Sequence, residues 1–387
     1  MSNWANNDGK YSHVERRIKP SSKASRPKTS DSEIMMEPRK VQKVGYSTLS
    51  VSIPMNWAKK MNVQKGDVVF ISEENDGALR ITPEPTKAED NSVYVVNVDN
   101  CDNTKVLARV IVGNYVLGRN LIRVESSRRL MREQIESIRE VTQRLLGIGI
   151  IEESDRHLLL QCSIDPKNFP LETVIRRLYV ITSIMFKESI DALIDRDMEL
   201  AKDAIAREHE ADTIFWLLTR LLSSAQQSRI VSEAIGITDP IEVVEHNLIA
   251  WYLEMIGDRL DAISQNVISL EERREESDEE LIERLSQIGL ICFTMFDQAI
   301  RSLFEKDLKL ASDAVDLYEA VGHEEDSLLK EFQQNHDPEI SANVNEIAWE
   351  LRIIAEYSTA IATISIDNVL KNDNEICNVI ERERPEK

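Results

Sequence analysis

The sequence predicts a multi-domain, mainly helical chain: a strand-rich module over residues 39–86, a small α+β domain over 91–165, and two tandem three-helix bundles. Three observations predict it. Apolar residues alternate with period two at Leu49, Val51 and Ile53, the mark of a half-buried strand. From Phe169 onward they recur at three and four spacing, and strand signals vanish. The helical part also repeats itself, since Asp197–Ile205 (DMELAKDAI) is echoed by Asp307–Val315 (DLKLASDAV).

Length and composition set the bounds. A chain of 387 residues with 42% apolar content can bury more than one core. Twelve Gly and eleven Pro exclude a collagenous or low-complexity chain. Cys101, Cys162, Cys292 and Cys377 form no CxxC pair or finger spacing, which points to a reducing compartment. The amino-terminal stretch lacks the apolar core of a signal peptide, and the run Leu178–Phe186 is too short to span a bilayer. A cytoplasmic protein without a transmembrane segment is expected. The formal charge of −21 excludes a uniformly basic, histone-like chain, but it hides a split. Residues 1–65 hold 13 Lys/Arg and 5 Asp/Glu, a net of +8, which leaves −29 for the remainder. One end suits a polyanion and the other suits cations or solvent.

Residues 1–38 carry Ser, Lys, Arg, Pro and Asn without apolar periodicity and read as a disordered basic tail. Thr48–Pro54 is a strand, and Pro54 opens a short helix, Met55–Met61, with Trp57, Ala58 and Met61 inward. Gly66-Asp67 leads the apolar run Val68–Ile71, and Asp76-Gly77 turns it into a hairpin that returns through Ala78–Thr82. So small a unit buries little surface alone, so a second copy is expected to complete its core as a homodimer. In the α+β domain, strands at Ser92–Val98 and Leu121–Val124 alternate with helices at Thr104–Val116 and Ser127–Leu146. A strand pair, Ile148–Ile151 and Leu158–Ile164, closes it. That order fits a sandwich of ferredoxin or ACT-like character, a class that often serves dimerisation or effector binding.

Breaks in the apolar pattern delimit six helices, at 168–195, 198–227, 240–270, 277–304, 307–334 and 338–371. They form two sets of three, over 166–272 and 273–373, with a tail at 374–387. The repeat starts at an offset of 110 residues. His209–Asp212 (HEAD) against His323–Asp326 (HEED) raises it to 114, one helical turn more. In the third helices, Glu254–Asp258 aligns with Glu356–Ala360.

Two carboxylate pairs stand out. Glu208 and Asp212 are four apart on one helix, Glu254 and Asp258 four apart on the next, so each pair shares a stripe. Facing stripes would gather four carboxylates that repel one another unless a cation lies between them. Oxygen donors suit Mg²⁺ or Mn²⁺, and a nitrogen from His209 would admit iron or zinc, so a divalent or trivalent ion is expected. Gly257 lies inside the helix at a cost of about 1 kcal/mol relative to Ala, and close backbone approach is the expected reason.

Two resemblances carry these readings further. The element order, with Val41–Val44, Leu49–Pro54, Trp57–Val63, Gly66-Asp67 and Leu79–Pro83, resembles the SpoVT/AbrB family of swapped-hairpin DNA-binding domains. That resemblance implies an interlocked dimer and makes Arg39, Lys40, Lys43, Lys59 and Lys60 candidates for contacts to the DNA backbone. The stretch Leu253–Ile263 (LEMIGDRLDAI) resembles the signature helix of the PhoU phosphate-signalling regulators, which are two tandem three-helix bundles with metal clusters held by ExxxD pairs. It implies Glu208, Asp212, Glu254 and Asp258 as ligands in the first repeat. The second repeat departs: Gly322 falls where the Glu of the second helix would be, Ala360 replaces the Asp of the third, and only Asp326 and Glu356 remain. The order of domains resembles an archaeal PhoU-type regulator of phosphate uptake.

No GxSxG, HExxH or Walker loop is present, and the six His lie on separate elements, so no enzyme is expected. The expected function is a DNA-binding transcriptional regulator of phosphate homeostasis whose bundle binds metal and senses a phosphate-linked signal. The alternative is an adaptor that docks on a phosphate transporter ATPase or a histidine kinase, its small module serving only to dimerise.

Overall fold

The computed structural model describes residues 37–73, 77–83, 92–272, 279–332, 338–371 and 376–378. The tails at 1–38 and 374–387 lie almost wholly outside the described residues, as does Asp76 of the expected hairpin turn. The chain divides into two compact units, Met1–Ala88 and Glu89–Lys387.

In the first unit, β1 (Gln42–Val44) and β2 (Thr48–Ser50) pair antiparallel. Helix α1 (Met55–Lys60) follows Pro54, and β3 (Val69–Glu73) pairs antiparallel with β4 (Leu79–Pro83). Gly66, at φ 102, bends the chain between α1 and β3 in a conformation that side chains disfavour. Beside it, Asp67 Oδ2 accepts the Gln64 N–H at 2.7 Å. The strand expected over Thr48–Pro54 ends at Ser50, so of the alternating trio only Leu49 lies in β2, and none of the described residues of the unit is buried within one copy: Leu49 is 69% exposed and Phe70 49%. Met61, expected inward, is exposed as well. A two-stranded hairpin has one face to offer and nothing of its own to lay against it.

The second unit opens with a four-stranded sheet. Its elements in order are β5 (Val93–Asn97), α2 (Thr104–Val116), β6 (Leu121–Glu125), α3 (Arg132–Arg144), β7 (Ile148–Glu153) and β8 (His157–Cys162). The strand order is β5-β6-β8-β7, with β5 and β6 parallel and the other pairs antiparallel. This corrects the ferredoxin-like expectation. In that topology a third strand separates the two joined by a helical crossover, whereas here they are direct neighbours. Leu107, Ile111 and Tyr115 of α2 and Ile138 of α3 pack on Val96, Ile122, Val124, Leu158 and Leu160.

The helices follow as α4 (Leu171–Asp195), α5 (Met198–Gln227), the short α6 (Arg229–Ala234), α7 (Pro240–Glu271), α8 (Glu279–Glu305), α9 (Leu308–Phe332) and α10 (Pro338–Leu370). Each of the six long ones matches its predicted span closely. Left-handed residues, Arg196 at φ 60 and Lys306 at φ 54, stop α4 and α8. The next residue then caps the following helix. Asp197 accepts the N–H groups of Glu199 and Leu200, and Asp307 accepts that of Leu310.

Burial corrects the register of the repeat. The buried residues Ala201, Ala204, Ala211 and Leu218 of α5 correspond to Ala311, Ala314, Val321 and Leu328 of α9, a constant offset of 110. Those of α7 (Ile249, Ala250, Leu253, Ile256, Ile263) correspond to Ile347, Ala348, Leu351, Ile354 and Ile361 of α10, an offset of 98. The offset falls because α6 and its flanks lengthen the first connection only. HEED over 323–326 is thus a chance echo of HEAD, one turn out of register, and the same slip affected Glu356–Ala360. Apolar contacts define the register, and surface carboxylates do not.

Helix α5 belongs to both layers of this unit. Trp216 packs against the bundle core and the sheet core. Arg220, 4% exposed, donates to the Tyr115, Arg119 and Gly118 carbonyls at 2.6, 3.2 and 3.3 Å and to Asn120 Oδ1 at 2.6 Å. It thereby satisfies carbonyls at the end of α2, where a positive charge is favoured. Arg220→Ala would strand these acceptors, and a loss on the order of 3 kcal/mol is expected in urea unfolding.

Candidate metal centre and nucleic-acid interface

Helices α5 and α7 pack side by side, and the charges of Asp212, Asp258 and Glu208 act on the Glu254 carboxyl. Glu254 is 9% exposed and shares a hydrogen bond with the Asp212 carboxyl, within reach of the charges of Asp258 and Glu208. The His209 Nδ1 lies 2.7 Å from Glu208 Oε2, and Glu208, His209 and Asp212 offer ligand atoms within 4.8 Å of one another; among the described residues Glu254 and Asp258 fall outside that group.

Asp261 lies near the two ExxxD pairs without belonging to either. It interacts with both Glu208 and His209, and its Oδ2 accepts from Gln265 at 2.6 Å. The signal was there to find, since Asp261 follows Asp258 by three residues on the same helix face.

The electrostatics are those of a site short of positive charge. Burial, followed by the Asp212 hydrogen bond and the neighbouring carboxylates, pushes the Glu254 carboxyl up to about 9. Burial also raises Glu208, with Asp212 adding to the effect. It raises Asp258 despite the opposing charge of Arg259, and it raises Asp261 despite Gln265 and His209. The Glu208 and Asp212 carboxyls and the His209 imidazole, with the other carboxyls near by, fit a hard or borderline divalent cation. Without one, protons take its place.

Other assignments fare differently. Gly257 does not mark a close approach, because a Cβ there would meet nothing within 4 Å. Asp326 and Glu356 are both exposed, and among the described residues no group of three ligand atoms includes them. In the corrected register Asp326 matches Trp216, which is no ligand position, and Glu356 matches Asp258.

In the first unit, Lys40, Lys43, Lys59 and Lys60 are solvent-exposed, and Arg39 is exposed with its guanidinium 2.5 Å from Glu37. Lys59 and Lys60 lie in the last turn of α1. A polar cavity of about 320 Å³, without a signature in the sequence, lies in the α+β domain at the carboxyl ends of β5 and β6, lined by Asp99, Glu125, Arg156 and His157 among others. Asp99 is held at one wall by the Ser126 hydroxyl at 2.6 Å and the Ser127 N–H at 2.9 Å.

Two outcomes follow for the helix pair. A carboxyl raised on folding contributes stability below its unfolded value, 4.5, and loses it as pH rises through the folded value. Chelator-stripped protein should therefore lose thermal stability as pH climbs from 4.5 toward 9, and Glu254→Gln should flatten that decline in melts at a series of pH values. Gly257→Ala should raise stability by about 1 kcal/mol in urea unfolding, since open space receives the methyl group.

Comparison with known proteins agrees with this layout. The family profile "Antidote-toxin recognition MazE, bacterial antitoxin" matches residues 42–89, and the PhoU domain profile matches residues 175–267. The phosphate-specific transport system accessory protein PhoU homolog 2 of Thermotoga maritima is 27% identical over 192 residues, 47% of this chain and 77% of that protein. The crystal structure of PhoU from Pseudomonas aeruginosa aligns at 17% identity and a TM-score of 0.47, covering 52% of this chain and 95% of that one. The phosphate transport system regulatory protein PhoU from Streptococcus pneumoniae aligns at 19% and 0.44, covering 51% and 91%. The chain joins a MazE/AbrB-like domain to a PhoU domain.

Proposed function

We propose that this chain is a cytoplasmic DNA-binding transcriptional regulator of phosphate uptake, acting as a homodimer, whose first bundle binds a divalent metal ion. The observation that carries the proposal is the joining of a MazE/AbrB-like module with exposed Lys and Arg to a PhoU domain with an acidic groove. The relative from Thermotoga maritima is named for phosphate transport, which supports the phosphate connection. The exposed apolar faces of both hairpins support a second copy, since bare surface of this kind in a soluble chain marks an interface.

In the groove, Glu208, Asp212, Glu254 and Asp258 would hold the ion, with His209 and Asp261 at its margin. A bound cation supplies the positive charge that lets these carboxyls ionise together. Glu254 gives up its proton on binding, so affinity rises with pH. Asp212 and Glu254 come from different helices, so their joint ionisation bears on how α5 and α7 pack. Helix α5 passes any shift on to the sheet through Trp216 and Arg220. Such a shift alters function only if it favours one dimer arrangement over another.

The test is gel retardation of the full-length dimer on DNA upstream of phosphate-transport genes. With six to ten phosphate contacts across two copies, affinity should fall about 10³- to 10⁵-fold between roughly 50 and 200 mM salt. Lys59→Ala/Lys60→Ala should weaken binding on all sequences and lower the salt slope. No retardation even at low salt would leave an adaptor that docks on a phosphate transporter ATPase or a histidine kinase.

A further inference from the structure

The corrected register places three residues of the second repeat on the metal groove of the first. Tyr318 stands at the position of Glu208, Gly322 at that of Asp212 and Arg352 at that of Glu254. In the first repeat the Asp212 and Glu254 carboxyls meet across two helices. In the second, one of those positions has no side chain and the other carries a guanidinium.

The guanidinium occupies the space so created. A Cβ on Gly322 would overlap Arg352 Nη1 and lie 3.1 Å from its Cζ. The Arg352 Nε donates to the Tyr318 hydroxyl at 3.3 Å, and its Cζ stands 4.6 Å above the Tyr318 ring. Nη1 lies 3.4 Å from Glu325 Oε2. Glu325 is itself 9% exposed and occupies the position of Phe215, so the countercharge has arrived together with the cation. These are the parts of a filled site: a cation, a buried carboxylate facing it, an aromatic ring beneath it, and a glycine that makes room.

We propose that the second repeat carries the Arg352 guanidinium where the first takes a metal ion, so that each chain has a single metal-binding groove. The proposal rests on the metal reading of the first groove. A fixed positive charge repels a divalent cation and fills the volume it would need, and removal of Asp212 and Glu254 equivalents deletes the two inner ligands. The two halves of the PhoU-like bundle are then unequal. The α5–α7 half can be emptied and refilled, whereas the α9–α10 half is neutralised for good. A metal response is confined to the half that contacts the α+β domain through Arg220.

The test is Mn²⁺ bound per chain, measured by equilibrium dialysis and elemental analysis on chelated, full-length protein. The conservative double variant Asp212→Asn/Glu254→Gln should fall to background. Retained Mn²⁺ in that variant, lost on further Glu325→Gln/Glu356→Gln substitution, would overturn the proposal. In the opposite direction, Tyr318→Glu/Gly322→Asp/Arg352→Glu rebuilds the inner donor set and should roughly double bound Mn²⁺ relative to wild type. If that variant keeps wild-type helical circular dichroism and gains no metal, the proposal fails. Wild-type protein that binds no Mn²⁺ would instead sink the reading of the first groove. The rebuilt variant would still decide the second, by gaining Mn²⁺ over that null or failing to.

Discussion

Two carboxyl groups meet between α5 and α7, one of them buried, and the behaviour of the first bundle depends on how that contact is neutralised. Like charges at this distance in a poorly solvated groove cannot both ionise without compensation. A shared proton neutralises it at low pH, so the groove links helix packing to solution pH. At the corresponding positions of the second bundle no carboxyl pair meets, and Arg352 contacts Tyr318 and Glu325 instead. Two copies of one architecture thus place different chemistry at matching positions, carboxyls in one and a guanidinium in the other.

Helix α5 gives the contact its reach. Glu208 and Asp212 lie on its amino-terminal half, while Trp216 and Arg220 lie one to two turns further along and enter the α+β domain. A rigid helix with the groove at one end and a capped partner helix at the other has little freedom to adjust at one site alone. The close seat of Gly118 on Ser224 tightens the joint, since a Cβ there would come within 2.7 Å of the Ser224 hydroxyl. The α+β domain is therefore tied to the helix that carries Glu208 and Asp212, which gives the middle of the chain a mechanical place in the molecule.

The amino-terminal unit has the opposite character. Its strands have well-formed registers, yet none of its described residues is buried. Hydrogen bonds within each hairpin supply local order, and the apolar faces await a surface that one copy does not contain. The Lys and Arg side chains stand on this same open unit, so whatever completes the core also sets how they are presented.

The sequence by itself determined the elements: the six long helices, the hairpin that follows Gly66, and the two ExxxD stripes. Each is encoded in contacts between residues a few positions apart, where periodicity and capping act. The tertiary structure alone decided the rest. It ordered the strands so that β5 lies beside β6, added Asp261 to the groove and removed close packing as a reason for Gly257. It also shifted the second repeat by one turn, which turned Asp326 from a candidate ligand into an exposed side chain and set Arg352 opposite Gly322. Those outcomes depend on which buried faces interlock, and interlocking is a property of residues far apart in the chain. Surface carboxylates repeat by chance at helical spacing, whereas core alanines and leucines must fill a fixed volume and therefore hold the true register.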